Sequence, residues 1–255
     1  MGNCSFIPQG RMGNFYMEAF TAYAYAKKHG LNFSVPAQTT SEYWSPIYAK
    51  HLINDNWVGL HNADVIIDEQ GHNFSELPFD ENWRGCNILL RGYFQSENYF
   101  KDYRENILND FKFKWQLKKG WCSIHLRLTD YVLHKDRHHN ISDEYISNAI
   151  NYFIERDINK FMVFSDDMMQ AIQRINKEKY PNAQFEYSID KTPEEDLYLG
   201  SCCEHNIISA STFSWLQAWT GRNENKIVIA PKVWFEFMNS HLNTDDIVPE
   251  RWLKM

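Results

Sequence analysis

From Trp121 to Ala230 the chain alternates short apolar runs with stretches of helical period. The pattern predicts strands at 121–129, 161–165, 185–189, 206–209 and 226–230, with helices near 143–156, 167–177, 193–203 and 212–220 between them. Strands separated by helices of that length cannot pair as hairpins. Each connection is a crossover, so the sheet is parallel and carries helices on its faces. Residues 118–255 are therefore expected to form a Rossmann-like, doubly wound domain. One helix start is well marked. In "TPEE", Thr192 is the N-cap, Pro193 the first helical residue and Glu195 the partner in a capping box, which puts Asp196 in the opening turns.

Residues 1–117 read as a mixed α/β domain. They give a short strand, a turn at "QGRMGN", a helix over "FYMEAFTAYAYAKKHG" (15–30), and apolar runs at "LNFSV", "ADVII" and "NILL". A length of 255 residues suits one large domain or two ordinary ones. With a net charge of −7, a phosphate-bearing ligand must be held by a few local cations and backbone N–H groups, and nucleic acid is an unsuitable partner. The five cysteines form no C-x-x-C pair, so neither a disulfide scaffold nor a zinc ribbon is indicated. No signal peptide or transmembrane run is visible, and the expectation is a cytoplasmic protein. "MGNCSF" meets the formal start of a myristoylation signal at Gly2, beside Cys4, but it leads directly into the first strand.

Four segments could carry chemistry. In "QGRMGNF", a turn with Gly10 and Gly13 opens a helix, leaving backbone N–H groups for an anion, and Arg11 adds charge. In "SIHLRLTD", Ile124, Leu126 and Leu128 share one strand face while Ser123, His125, Arg127 and Thr129 share the other. That polar face is either solvated on an edge strand or a ligand clamp in which Arg127 grips phosphate and His125 presents a ring nitrogen. In "FMVFSDD", Asp166 and Asp167 suggest a divalent metal, yet adjacent strand residues point to opposite faces and no third carboxylate is near. The expectation is no metal site, with one aspartate capping the next helix and the other facing water. In "SASTFSW", Ser209, Ser211, Thr212 and Ser214 at a helix start are caps or phosphate ligands. The histidine-rich "HKDRHHN" (134–140) lacks metal-site spacing and reads as a solvated loop. No G-x-S-x-G, H-E-x-x-H or P-loop is present.

Taken in order, "GRMGNF", "AYAYAKKHG", "GYFQSENYF", "SIHLRLTDYV", "FMVFSDD", "DLYLGSCCEHNIISASTFSWLQAW" and "NKIVIAPKVWF" resemble the α-1,2-fucosyltransferase family, glycosyltransferase family 11, over residues 10–235. The resemblance implies a GT-B-like architecture of two α/β domains, the C-terminal one binding GDP-fucose and the acceptor entering between them, with inversion at the anomeric carbon and no metal. On that likeness Arg127 holds the donor β-phosphate, and His125 and Asp196 contact the guanine–ribose end. Gly10, Gly13 and Asn14 lie against the pyrophosphate, and Ser211, Thr212, Phe213 and Ser214 close around the diphosphate. Three departures stand out: Leu128 where the family's "HVRRGD" has a second arginine, Phe15 for the usual glutamine after "GN", and "WLQAW" for the commoner "WWGAW".

The implied reaction is transfer of fucose from GDP-fucose to a glycan hydroxyl, with an α-1,2 linkage on a galactose. Asp130 either serves as its base or orients Arg127. Transfer of another GDP-linked sugar, or a non-catalytic sugar-nucleotide or glycan-binding relic, are the alternatives left open.

Overall fold

The computed structural model describes residues 1–36, 48–54, 56–130 and 136–255. The chain divides into two compact units, the first made of residues 1–113 with 243–249, the second of residues 114–242 with 250–255. Both are α/β units built on wholly parallel sheets, in keeping with the GT-B-like class expected.

In the first unit, β1 (Asn3–Phe6), β2 (Asn32–Phe33), β3 (Val65–Asp68) and β4 (Asn87–Arg91) pair in the order β2-β1-β4-β3. Register is fixed by pairs such as Cys4 with Ile88 and Phe6 with Leu90. Gly2 is buried with its N–H donated to the Arg84 carbonyl at 2.8 Å, and Cys4 is fully buried.

Helix α1 begins at Met12, three residues before the expected Phe15, and runs to His29. Gly13 and Asn14 thus belong to its first turn rather than to the loop. The helix ends because Gly30 takes φ 68°, a left-handed conformation that glycine adopts without strain, and donates its N–H to Ala26. Met12, Gly13 and Phe15 to Ala26 are all buried, so α1 is a core helix rather than a surface one. Its rings Phe15, Tyr16, Phe20 and Tyr23 interlock edge-to-face with Phe6, Phe33, Phe111 and Phe113 at centroid distances of 5.1–6.4 Å. A short helix, α2 (Arg104–Asp110), follows the segment 92–103.

In the second unit the strands are β5 (Lys118–Leu126), β6 (Lys160–Ser165), β7 (Gln184–Tyr187), β8 (Cys203–Ile207), β9 (Val228–Ala230) and β10 (Leu253–Lys254). Their spatial order is β10-β9-β8-β5-β6-β7. Counted from β5 this is 3-2-1-4-5-6, the dinucleotide-binding order, and it reverses direction between β5 and β8. The helices α3 (Asp143–Ile154), α4 (Met168–Ile175), α5 (Pro193–Cys202) and α6 (Thr212–Thr220) lie within a few residues of their expected bounds. The capping box at Thr192 and Glu195 is present. Strand β5 ends at Leu126, three residues early, because Leu128 and Thr129 give their N–H groups to a side chain instead of a neighbouring strand.

Ile124, Leu126 and Leu128 pack with Ile146, Ile150 and Phe153 of α3 in one core cluster. The opposite face is buried too, with Ser123 and His125 at 1% and 4% exposure, so the edge-strand reading of β5 fails: it is central in its sheet. Of the segment 134–140, His134 and Lys135, like Tyr131 and Val132 before them, lie outside the described residues. The rest is an irregular turn with Asp136 and Arg137 exposed, held by backbone hydrogen bonds linking Asp136, Arg137 and His139 with 234–238 and by His139 Nδ1, which meets Glu236 at 2.5 Å.

One carboxylate in the first unit is placed at a cost. Glu18 of α1 is fully buried; its Oε2 accepts the Gln9 N–H at 3.0 Å, and its Oε1 has no hydrogen-bond partner. Burial pushes its pKa well above the usual carboxylate range, the Gln9 N–H opposes this, and the charge of Glu69 adds to it. A raised folded pKa means that this group's stabilisation is complete below the unfolded value, near 4.3, and is lost as pH rises through the folded value. Glu18→Gln keeps an oxygen for Gln9 and never ionises. Its melting temperature should equal the parent's at pH 4 and exceed it at pH 8, by about 2–4 °C for each kcal/mol recovered, as read by thermal denaturation at both pH values.

Candidate functional site

Ligands of doubly wound sheets bind beyond the carboxyl ends of the strands, where the strand order reverses. In the second unit that point lies between β5 and β8. His125, the penultimate residue of β5, reaches across it: its Nδ1 lies 3.0 Å from the Ser209 hydroxyl, two residues past the end of β8. Burial drives the imidazole pKa down to about 4 against the opposing pull of Asp166, so the ring is neutral at physiological pH. Phe213 flanks it with ring centroids 5.3 Å apart.

Ser209 leads into α6. Ser211 is the N-cap residue, yet its side chain makes no capping hydrogen bond. Ser214 turns back instead, donating to the carbonyls of Ser211 at 2.9 Å and Ser209 at 3.1 Å. That leaves the N–H groups of the first turn, Thr212 to Ser214, at the positive end of the helix dipole. The helix is anchored by Trp215 and Trp219, fully buried and stacked at 5.8 Å.

Arg127 stands just past β5 and is held between two carboxylates. Its Nη2 lies 2.8 Å from Asp130 Oδ1 and its Nη1 lies 3.1 Å from Asp166 Oδ2, with 14% of the side chain exposed. The reading of Asp167 as a cap holds, since it accepts the Gln170 N–H at 3.0 Å. The reading of Asp166 as facing water is overturned. Its Oδ1 accepts the Leu128 N–H at 2.8 Å, and its Oδ2 takes the Thr129 N–H, the Thr129 hydroxyl and the Arg127 ion pair. The missed signal was the register: Leu126 pairs with Ser165, so the residues just past the two strand ends are neighbours. Burial alone would raise the Asp166 pKa; Arg127, the Thr129 hydroxyl and the Leu128 N–H outweigh it and hold the carboxyl below its usual value.

Asp196 occupies the first turn of α5, half-buried, and accepts the Ser188 hydroxyl from the loop after β7. Burial lifts its pKa to about 6, and the Ser188 hydrogen bond restrains the rise. Among the described residues no three His, Cys, Asp or Glu side chains are grouped to hold a metal ion. No described helix is long and apolar enough to cross a membrane.

In the first unit Gly10 takes φ 65°, and a Cβ there would lie 2.3 Å from Asn14 Nδ2. Both the backbone and the neighbouring amide therefore require glycine. Asn14, in the first turn of α1, accepts the Gln95 amide at 3.1 Å, a partner that no reading of the turn alone could supply.

The Asp166 knot makes a stability prediction. A depressed folded pKa contributes stability at pH values above the unfolded pKa near 3.9, and that contribution is lost as pH falls through the folded value. Asp166→Asn should cost about 2 kcal/mol at pH 7. The gap from the parent should close only below about pH 3.9, as measured by urea denaturation across pH.

The model of "Glycosyl transferase family 11" matches residues 5–254. An alpha-1,2-colitosyltransferase of Escherichia coli is 32% identical over 64% of this chain and 61% of its own. The O-antigen biosynthesis glycosyltransferase WbnK of Escherichia coli is 30% identical over 67% of this chain and 65% of its own. Galactoside alpha-(1,2)-fucosyltransferase 2 of Gorilla gorilla gorilla is 27% identical over 83% and 67%. The chain thus spans somewhat under two thirds of the length of the two bacterial relatives. Solved POFUT1 structures align more loosely. The apo form gives a TM-score of 0.48 at 11% identity over 90% of this chain and 97% of that one, a level of likeness that settles no function. On the match to nearly its whole length, the chain belongs to glycosyl transferase family 11.

Proposed function

We propose that the protein is an inverting fucosyltransferase that moves fucose from GDP-fucose to a glycan hydroxyl, forming an α-1,2 linkage on a galactose. The observation that carries the reading is the convergence, at the reversal point of the second sheet, of a fixed guanidinium, a neutral histidine and a helix N-terminus without a side-chain cap. Membership of the family supports the reaction class. In this reading the acceptor oxygen attacks the anomeric carbon opposite the diphosphate, the bond from that carbon to the β-phosphate oxygen breaks with its electron pair leaving on GDP, and the acceptor hydroxyl's proton passes to solvent.

Each residue then has a task set by its chemistry. Arg127 meets the charge that grows on the β-phosphate, and the first-turn N–H groups of α6, from Thr212 to Ser214, share it. Asp130, bonded to Arg127, orients the guanidinium rather than acting as the base. His125, uncharged and tied to Ser209, offers the nucleotide a neutral ring edge. The Asp196 carboxylate, ionised above about pH 6, suits the paired N1–H and 2-amino donors of guanine. Within the first unit, the first-turn N–H groups of α1 at Gly13 and Asn14 are of a kind that suits an anion. No metal is needed where protein groups already meet the leaving charge.

The test is incubation of the protein, in excess EDTA, with GDP-fucose and a panel of galactose-terminated oligosaccharides. A fucosylated product seen by mass spectrometry is expected. Absence of product with every acceptor, or activity restored only by Mn²⁺ or Mg²⁺, would refute this reading. One observation favours a second donor: the relative at 32% identity is named for colitose transfer, so nucleotide-linked colitose belongs in the same assay.

Arg127 gives the sharper check. Arg127→Ala should lower kcat by ~10²–10³ and weaken GDP binding by calorimetry. Arg127→Lys retains a charge between Asp130 and Asp166, hence the fold by circular dichroism, but a point charge cannot reproduce the planar fork and should rescue activity poorly.

A further inference from the structure

The first unit carries a pocket of about 280 Å³ that the donor reading does not use. Its floor is one face of α1, formed by Thr21, Ala24, Tyr25 and Lys28 at helical spacing. Its wall is the segment from Asn98 to Tyr103. The same segment is tied to the start of α1 upstream, where Gln95 Nε2 donates to Asn14 Oδ1 at 3.1 Å. Turn and pocket therefore share one helix and one strap, separated by the eleven residues from Asn14 to Tyr25, or about 16 Å of helix.

The pocket's chemistry is aromatic and rigid. The Tyr25 hydroxyl donates to the Pro78 carbonyl at 2.8 Å, and the Tyr99 hydroxyl accepts the Ser75 N–H at 3.2 Å, so both rings are held in place. Phe74 meets Tyr99 edge-on at 4.9 Å and keeps 38% of its surface exposed. The Asp102 carboxylate and the Tyr103 hydroxyl, both lining residues, make no side-chain hydrogen bond among the described residues. Lys28 at the rim is paired with Glu76 at 3.1 Å. His29, also lining the pocket, has its pKa lowered by burial and by Lys28 and Arg84, and so adds no cation near neutrality. One cation against two carboxylates repels an anion. Fixed aromatic faces with a carboxylate and the Asn98 amide suit a ring that has a C–H face and hydroxyl edges. The volume lies just below the ~300–1,000 Å³ typical of sites for whole drug-sized ligands, a size for a single sugar ring.

We infer that this pocket is a subsite for an inner, neutral sugar residue of the acceptor oligosaccharide, one that does not itself bear the reacting hydroxyl. The inference rests on the proposed transfer reaction. Its test compares a neutral galactose-terminated tetrasaccharide with the matching terminal disaccharide, using the full chain and the variants Asp102→Ala and Tyr103→Ala. Each variant should raise KM for the tetrasaccharide about tenfold, a loss of roughly 1.4 kcal/mol. KM for the disaccharide, KM for GDP-fucose and kcat should stay unchanged. Equal effects on both acceptors, or none, would overturn the subsite. Saturation-transfer NMR with the tetrasaccharide keeps the two readings apart. A parent that transfers no sugar refutes the reaction. Saturation of the inner sugars that is present in the parent and lost in both variants still supports the pocket, whereas inner-sugar signal that is absent from the parent or persists in both variants refutes it.

Discussion

The structure turns on the reversal of strand order between β5 and β8. Parallel strands joined by right-handed crossovers place their helices on opposite faces on the two sides of that point, so the connections diverge and leave a crevice beyond the strand ends. The polar residues of "SIHLRLTD" follow from this. Ser123 can be polar and buried because its hydroxyl accepts the Asn206 amide, and His125 because it has Ser209. These two are matched from β8 or just beyond it, whereas Arg127 and Thr129 farther along are matched by Asp130 and by Asp166 past the end of β6.

The same geometry explains how a chain of net charge −7 can present the cation proposed above to bind phosphate. Arg127 is pinned by Asp130 and Asp166, and these two carboxylates exceed its charge. The arrangement is tolerable because the Asp166 charge is stabilised from several sides by the Leu128 and Thr129 N–H groups and the Thr129 hydroxyl. A guanidinium with five donors in one plane can serve two carboxylates and still direct N–H groups elsewhere, which an ammonium cannot do in a fixed plane. Leu128 is fully buried against α3, so in the proposed site the task falls on one cation and on the α6 N-terminus.

The alternation of period-2 and period-3.6 segments gave away the second unit almost to the residue, as with α6 at Thr212–Thr220, because local pattern and tertiary packing agree there. Asp166 was misread because its partners come from the neighbouring strand, and a register is invisible in one sequence. The start of α1 was misplaced because glycine and arginine at 10 and 11 resemble a longer turn, while Glu18, nine residues on, holds the Gln9 N–H and lets the helix begin at Met12. The pocket wall was likewise illegible, since no periodicity ties residues 98–103 to the face of α1.

The departure at "WLQAW" has a structural consequence. Gln217 is wholly buried in α6, where "WWGAW" would place glycine, and its Nε2 donates to the Asp196 carbonyl at 2.8 Å. It fits because α5 offers Gly200 opposite: a Cβ there would lie 2.4 Å from Gln217 Nε2. The amide therefore fills the notch of one helix from the other, and its Oε1 is left without a hydrogen-bond partner. A buried polar atom without a partner is tolerated only where the contact returns something else. Here the contact locks the helix that carries Asp196 to the helix whose N-terminus faces the sheet's reversal point. The two ends of the proposed nucleotide site are thus held at a fixed spacing by a direct side-chain bond rather than by loop packing alone.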